Sequence, residues 1–173
     1  MKLKKSAVIV IVVFAALVCA VAALALANRS AVQDTVSDGS LRLYDAEGTK
    51  AAWTYEELAA FPFTSIEKTI TSSKEEDESG EFTGVPLETL LEVADPDWAS
   101  KYTEFLFHAS DGFVASVFKS DIEKGENVVV VLEKDGAPLP GPDEGGKGPL
   151  RIVIRDDPFG NRSAYLLTAI EMK

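Results

Sequence analysis

The chain has 173 residues with 28 acidic and 17 basic side chains, and its formal net charge is −11 at pH 7. Such an acidic surface repels phosphate backbones and anionic lipid head groups, so we do not expect nucleic acid among its partners. The single cysteine, Cys19, lies in an apolar N-terminal segment, so the remainder cannot form an internal disulfide. A chain of this length can bury enough surface to fold as one domain without one.

The first 27 residues predict a membrane anchor or a signal peptide. Three lysines at positions 2, 4 and 5 precede an uncharged run at residues 7–27. As a helix, this run would extend roughly 31 Å and cross the hydrocarbon core of a bilayer. The lysines predict that the N-terminus stays in the cytoplasm and that the rest lies outside it. Ala25-Leu26-Ala27 also matches a cleavage site, so the alternatives are a single-pass protein of the cell membrane and a secreted protein.

A folded domain is predicted to follow a short linker. Residues 28–39 are polar and aperiodic, which is typical of a linker, and this places the domain at residues 40–173. Leu41–Tyr44 alternates in polarity and predicts a strand. Thr54-Tyr55-Glu56-Glu57 fits a capping box, so we expect a short helix that runs through Ala60.

The next segment predicts a strand, an acidic loop and a helix. Ile66–Ser72 has the composition of a strand. Lys74–Gly80 contains four consecutive acidic residues and is expected to be a solvated loop. Pro86 suits the first turn of a helix, and the leucines of Leu87–Leu91 fall on one helical face.

The second half of the domain predicts strands joined by turns. Asp111-Gly112 between two apolar runs is a strong hairpin signal and predicts the strands Tyr102–Ala109 and Phe113–Phe118. The apolar run Val128–Leu132 predicts a strand that is buried on both faces, with a turn at Asp135-Gly136. Two strands and a Gly- and Pro-rich loop complete the domain: Leu150–Ile154, Ala164–Met172 and Pro138–Pro149. The pattern predicts an α+β fold with a mixed, largely antiparallel β-sheet and a few short helices.

Four short motifs occur in a recognisable order: Phe82-Thr83-Gly84-Val85-Pro86-Leu87, Asp111-Gly112-Phe113, Gly136…Leu139 and Gly148-Pro149-Leu150-Arg151-Ile152-Val153. In this order they resemble the molybdopterin-binding domain of the sulfite oxidase-like fold, in its small stand-alone form, over about residues 40–173. The resemblance implies a cleft over the sheet in which a pterin would lie. It identifies Gly84, Asp111, Gly148 and Arg151 as candidate cofactor-binding residues.

The resemblance also implies a cysteine that ligates molybdenum, upstream of the Gly-Val-Pro-Leu motif. The corresponding segment, Thr69–Gly80, contains hydroxyls and carboxylates but no thiol. A serine hydroxyl stays protonated at neutral pH and is a harder donor than sulfur, and acidic residues repel a phosphate-bearing pterin. The sequence therefore predicts no catalytic residue, no metal ligand and no cofactor, and molybdopterin is an expectation of the resemblance alone.

Two functions from different classes compete. The first is a membrane-tethered, extracytoplasmic, non-catalytic domain that binds a small ligand or a protein partner. The alternative is a molybdopterin-dependent oxidoreductase in which Ser72, Ser73 or solvent replaces the cysteine. A third hypothesis is a calcium-stabilised domain, although its acidic clusters lack the spacing of a known calcium loop. The only histidine, His108, has no accompanying nucleophile motif, so we expect it to pack rather than to catalyse.

Overall fold

The computed structural model describes residues 39–71, 77–157 and 160–173. All of them belong to one structural unit, Thr35–Lys173. The predicted anchor at residues 1–27 lies outside the described residues. Within the described ranges, no helix is both long enough and apolar enough to cross a membrane.

Ten strands, four short α-helices and two 3₁₀ turns make up the described part of the chain. The strands are β1 (Leu41–Asp45), β2 (Gly48–Trp53), β3 (Thr64–Ile70), β4 (Glu78–Pro86), β5 (Glu104–Ala109), β6 (Val114–Phe118), β7 (Val128–Lys134), β8 (Ala137–Pro138), β9 (Arg151–Ile154) and β10 (Leu167–Met172). The helices are α1 (Tyr55–Ala59), α2 (Leu87–Ala94), α3 (Trp98–Lys101) and α4 (Lys119–Ile122). The 3₁₀ turns are Pro142–Glu144 and Gly160–Arg162.

The described strands form two five-stranded sheets. The first has the order β2-β1-β10-β5-β6, in which β1 and β10 run parallel and the other neighbours are antiparallel. The second has the order β3-β4-β7, and the far edge of β7 pairs with β9 along its first half and with β8 at its end. All pairs of the second sheet are antiparallel.

β7 is buried on both faces, as its continuous apolar sequence predicts. Val128, Val130 and Leu132 belong to the larger core, which also contains residues of the first sheet and the three leucines of α2. Val129 and Val131 belong to a smaller outer cluster on the opposite face. This outer cluster consists of Ile66, Ile70, Phe82, Val129, Val131 and Val153, with Leu139 packed against it.

Several local signals in the sequence are confirmed. The Thr54 hydroxyl accepts a hydrogen bond from the Glu57 backbone N–H, and the Glu57 carboxylate accepts one from the Thr54 N–H, which completes the capping box of α1. The Asp111-Gly112 turn joins β5 to β6, and the Asp135-Gly136 turn joins β7 to β8. Positive φ angles of 87° at Gly112 and 75° at Gly136 explain why glycine follows aspartate in both turns.

Three expectations need correction. The strands form two sheets rather than one, because neither their partners nor their stacking is encoded in local periodicity. The acidic loop expected to extend to Gly80 ends earlier, since Glu78 already begins β4 and pairs with Ile70. Two elements were not expected from the sequence: β2 and the four-residue helix α3. The residues of β2 lack a clear alternation of apolar and polar side chains.

Gly84 lies where the backbone of β4 comes close to that of β7. A Cβ atom at this position would lie 2.0 Å from the backbone oxygen of Val130 and 2.7 Å from the Cα atom of Val131. The register between β4 and β7 shifts between Thr83 and Gly84, so the two backbones approach more closely there than in a regular ladder.

We therefore expect Gly84→Ala to lower the free energy of unfolding by about 1–3 kcal/mol, because backbone atoms of β7 must move to accept the methyl group. Gly141→Ala is the matched control, since no atom lies within 4 Å of its added Cβ and its φ of −74° suits alanine. The control should change stability by no more than about 0.5 kcal/mol. Urea denaturation of both variants measures the difference, and equal stabilities would contradict the steric argument.

Candidate functional site

A pocket of about 810 Å³ opens on the outer face of the second sheet. It lies beside the outer cluster, and its wall includes Ile70 of that cluster and Leu139, which packs against it. The beginning of β4, the end of β7 and the start of β9 supply its polar side chains. These polar side chains are Glu78, Ser79, Lys134 and Arg151, with Asp77, Lys147 and Tyr165 from the connecting segments.

Arg151 is the most deeply buried charged side chain of this pocket, at 2% exposure. Its guanidinium lies between two aromatic rings, with Cζ 4.1 Å from the ring centroid of Tyr165 and 4.9 Å from that of Phe82. Nη1 donates a hydrogen bond of 2.9 Å to Oε2 of Glu78. Nε and Nη2 are buried and have no hydrogen-bond partner among the described residues. The rings and one carboxylate therefore compensate most, but not all, of the buried cation.

Glu78 collects three donors on one carboxylate. Besides Arg151, the Tyr165 hydroxyl donates to Oε2 at 3.2 Å, and Lys134 Nζ lies 3.1 Å from Oε1. Burial opposes ionisation of Glu78, but the charge of Arg151 and hydrogen bonds from Arg151 and Lys134 outweigh it and hold its pKa below the usual value. Burial, reinforced by the nearby Glu78 carboxylate, raises the pKa of Tyr165. Glu78 is thus an anion at neutral pH and Tyr165 a neutral donor.

The rest of the pocket combines charged side chains of both signs, Asp77 and Lys147, with apolar surface. Lys147 Nζ lies 4.8 Å from the ring centroid of Tyr165, which forms a second cation–π contact on that ring. A stretch of Pro138, Leu139 and Pro140 forms an apolar wall. A concave site with convergent donors and an apolar wall is the usual form of a small-molecule site.

The structure brings two of the four predicted binding residues to this pocket. Arg151 and Gly148 both line it. A Cβ atom at Gly148 would lie 2.6 Å from Cβ of Leu139, so glycine allows the loop to pack there. Gly84 is buried against β7, and Asp111 is exposed at the β5–β6 turn, where its carboxylate accepts the Phe113 N–H at 2.9 Å. Neither of these two lines the pocket, and their role in binding stays a prediction.

Sequence reasoning missed Glu78, Lys134 and Tyr165 as pocket residues. Glu78 was grouped with three preceding acidic residues, a pattern that is typical of solvated surface. Its contact with Arg151 joins residues that are 73 positions apart. The one signal that points to Lys134 is its place next to the Asp135-Gly136 turn, at the end of a buried strand.

His108, by contrast, lies on the first sheet, where Nε2 is 3.3 Å from the Tyr44 hydroxyl and 3.2 Å from Glu171 Oε2.

The family model of the oxidoreductase molybdopterin binding domain matches residues 30–173. The chain belongs to this family. No curated protein matches it. Among solved structures it is similar to the sulfane dehydrogenase SoxCD from Paracoccus pantotrophus, with a TM-score of 0.63 and 18% sequence identity. The match covers 79% of this chain but only 38% of that chain, and at this identity it supports the sulfite oxidase-like fold alone.

The donor atoms of the matched region do not fit a molybdenum centre of the thiolate-ligated kind. The only cysteine in the sequence, Cys19, precedes that region, and Ser72 and Ser73 lie outside the described residues. In the described ranges, no group of three or more His, Cys, Asp or Glu side chains could hold a metal ion. The family's cofactor therefore meets no matching soft ligand in these residues.

We expect Glu78→Gln to lower the free energy of unfolding by about 1–2 kcal/mol at pH 7, because Arg151 and Lys134 lose their charged acceptor. The folded state lowers the pKa of Glu78 from its ordinary 4.5, so its ionised form stabilises the fold above that pH. This contribution is lost as the pH falls through the folded-state pKa. The gap between wild type and variant should therefore shrink in acid, as urea denaturation at several pH values would measure.

Glu81→Gln is the control for this prediction, because it removes one negative charge from an exposed position on the same strand. Its stability should stay within about 0.5 kcal/mol of wild type at every pH. A gap for Glu78→Gln that persists unchanged in acid would show that the carboxylate charge is not what holds the contact.

Proposed function

We propose that this protein is a membrane-tethered, extracytoplasmic member of the molybdopterin binding domain family that binds a small ligand and performs no redox catalysis of its own. The uncharged run at residues 7–27, preceded by three lysines, supports the tether and its orientation. The absence of a thiol from residues 30–173 supports the loss of catalysis, because the matched domain then contains no thiolate ligand for molybdenum.

The observation that carries the binding role is the pocket beside Arg151. A fully buried guanidinium is costly unless its surroundings compensate it, and here two aromatic rings and Glu78 do so at the floor of an open cavity. A purely structural arginine would not need a cavity of about 810 Å³ beside it. We infer that the cavity is a ligand site and that Tyr165 forms one of its walls.

A molybdopterin-dependent oxidoreductase is the second candidate, and membership of the family favours it. The similar protein SoxCD is a sulfane dehydrogenase. In this chain such an activity would require Ser72, Ser73 or solvent as the molybdenum ligand in place of sulfur.

Metal content separates the two candidates. The protein should be produced in a host that makes the molybdenum cofactor, and molybdenum and extractable pterin should be measured in the purified full chain. We expect far less than one equivalent of either. A thiolate-containing relative prepared in parallel controls for cofactor supply. Stoichiometric molybdenum with electron transfer to a substrate would overturn the non-catalytic proposal.

Ligand binding is tested with small aromatic probes followed by NMR of the backbone amides. We expect shifts at pocket residues such as Gly148 and no shift at the Asp111 turn. Tyr165→Ala removes a pocket wall and should weaken binding about two- to tenfold. Tyr44→Ala is the matched control, since Tyr44 lies on the first sheet. Equal losses in both variants, or no shifts in the pocket, would contradict a ligand site there.

A further inference from the structure

The polar end of the pocket already holds a carboxylate, and that carboxylate belongs to the chain itself. Glu78 receives Nη1 of Arg151, the hydroxyl of Tyr165 and the ammonium of Lys134. These three donors converge on one anionic group from β9, from the segment before β10 and from β7. Resting on the proposed function, we propose that this donor cluster is a carboxylate subsite and that the ligand is a small organic carboxylate that displaces Glu78.

Glu78 accepts a hydrogen bond from only one of the three guanidinium nitrogens of Arg151. Only Nη1 bonds to the carboxylate, while Nε and Nη2 are buried and have no hydrogen-bond partner in the part of the chain that the structure describes. A free carboxylate is not bound to the backbone of β4, so it can turn until both of its oxygens face two guanidinium N–H groups. Bidentate pairing of this kind is stronger than a single contact, and it would satisfy a donor that Glu78 leaves orphaned.

The cation is more deeply buried than its present partner. Arg151 is 2% exposed and is held between the rings of Phe82 and Tyr165, whereas the side chain of Glu78 is 30% exposed at the first residue of β4. Rotation about the Glu78 side-chain bonds takes its carboxylate towards solvent, where water replaces the lost donors. After the exchange, the carboxylate of the ligand compensates the buried charge of Arg151 in place of Glu78.

The remainder of the pocket selects the body of the ligand. Ile70, Leu139 and the two flanking prolines give an apolar wall next to the donor cluster. The ring of Tyr165 lies between Arg151 and Lys147, so it presents an aromatic surface at the same place. A carboxylate attached to a ring or a short hydrocarbon matches both parts of the site, because three basic side chains face one remaining carboxylate, Asp77, once Glu78 has turned away.

Three small aromatic probes of different charge test this inference on the full chain. They are benzoate, benzamide and benzylamine, titrated by calorimetry and NMR against wild type, Glu78→Gln and Glu81→Gln at pH 7. We expect Glu78→Gln to bind benzoate at least about tenfold more tightly than wild type, because the competing internal carboxylate is gone. Benzamide should change little, benzylamine should weaken, and Glu81→Gln should behave as wild type.

The outcomes distinguish failure of the carboxylate subsite from failure of the proposed ligand binding. Equal benzoate affinity in wild type and Glu78→Gln, or an equal gain in Glu81→Gln, would overturn the carboxylate subsite. If the probes bind the pocket with affinities that do not change when Glu78 is replaced, the subsite fails while the proposed ligand-binding function stands. If no probe binds any variant, both fail.

Chemical rescue provides a second test if Glu78→Gln proves too unstable to titrate. Glu78→Ala removes the internal carboxylate and leaves the donors of Arg151, Lys134 and Tyr165 unmatched. Added acetate should raise the melting temperature of this variant more than that of wild type, and acetamide should not. Failure of acetate to restore stability would overturn the inference, because the smallest free carboxylate would then not occupy the cluster.

Discussion

The buried charge of Arg151 is the constraint on which the outer half of the domain depends. A guanidinium that is removed from water must find acceptors or aromatic faces nearby, and here both are drawn from distant parts of the chain. Phe82 and Glu78 come from β4, and Tyr165 comes from the segment before β10. One side chain therefore fixes the beginning of β4 against β9 and holds the segment before β10 over the outer face of the second sheet.

Family membership and local chemistry lead to different expectations, and the difference is informative. The match over residues 30–173 and the similarity to SoxCD establish the scaffold. A scaffold does not determine the reaction, which depends on the atoms at the site. At the site a carboxylate of the chain faces the buried cation, and the matched sequence has no thiolate donor for a metal. This contrast supports our proposal that the pocket is a recognition site on the scaffold of this family.

Local signals predicted those parts of the fold that depend on neighbours in sequence. The Thr54–Glu57 capping box, the Asp111-Gly112 hairpin and the doubly buried strand β7 each need only a few adjacent residues. The division into two sheets and the contact of Glu78 with Arg151 depend on residues far apart in the chain, so no short window contains them. For the same reason the motifs placed Gly148 and Arg151 at the pocket but gave no sign of Glu78 or Tyr165.

The double burial of β7 has a thermodynamic consequence. Adjacent valines of this strand belong to different apolar clusters, Val130 to the larger core and Val129 to the outer cluster. If β7 separates from one cluster, the other cluster also loses the side chains that this strand contributes to it. Neither cluster is therefore expected to have an independent melting transition. The floor of the pocket is therefore expected to share the cooperativity of the whole domain, and its geometry persists until the domain itself unfolds.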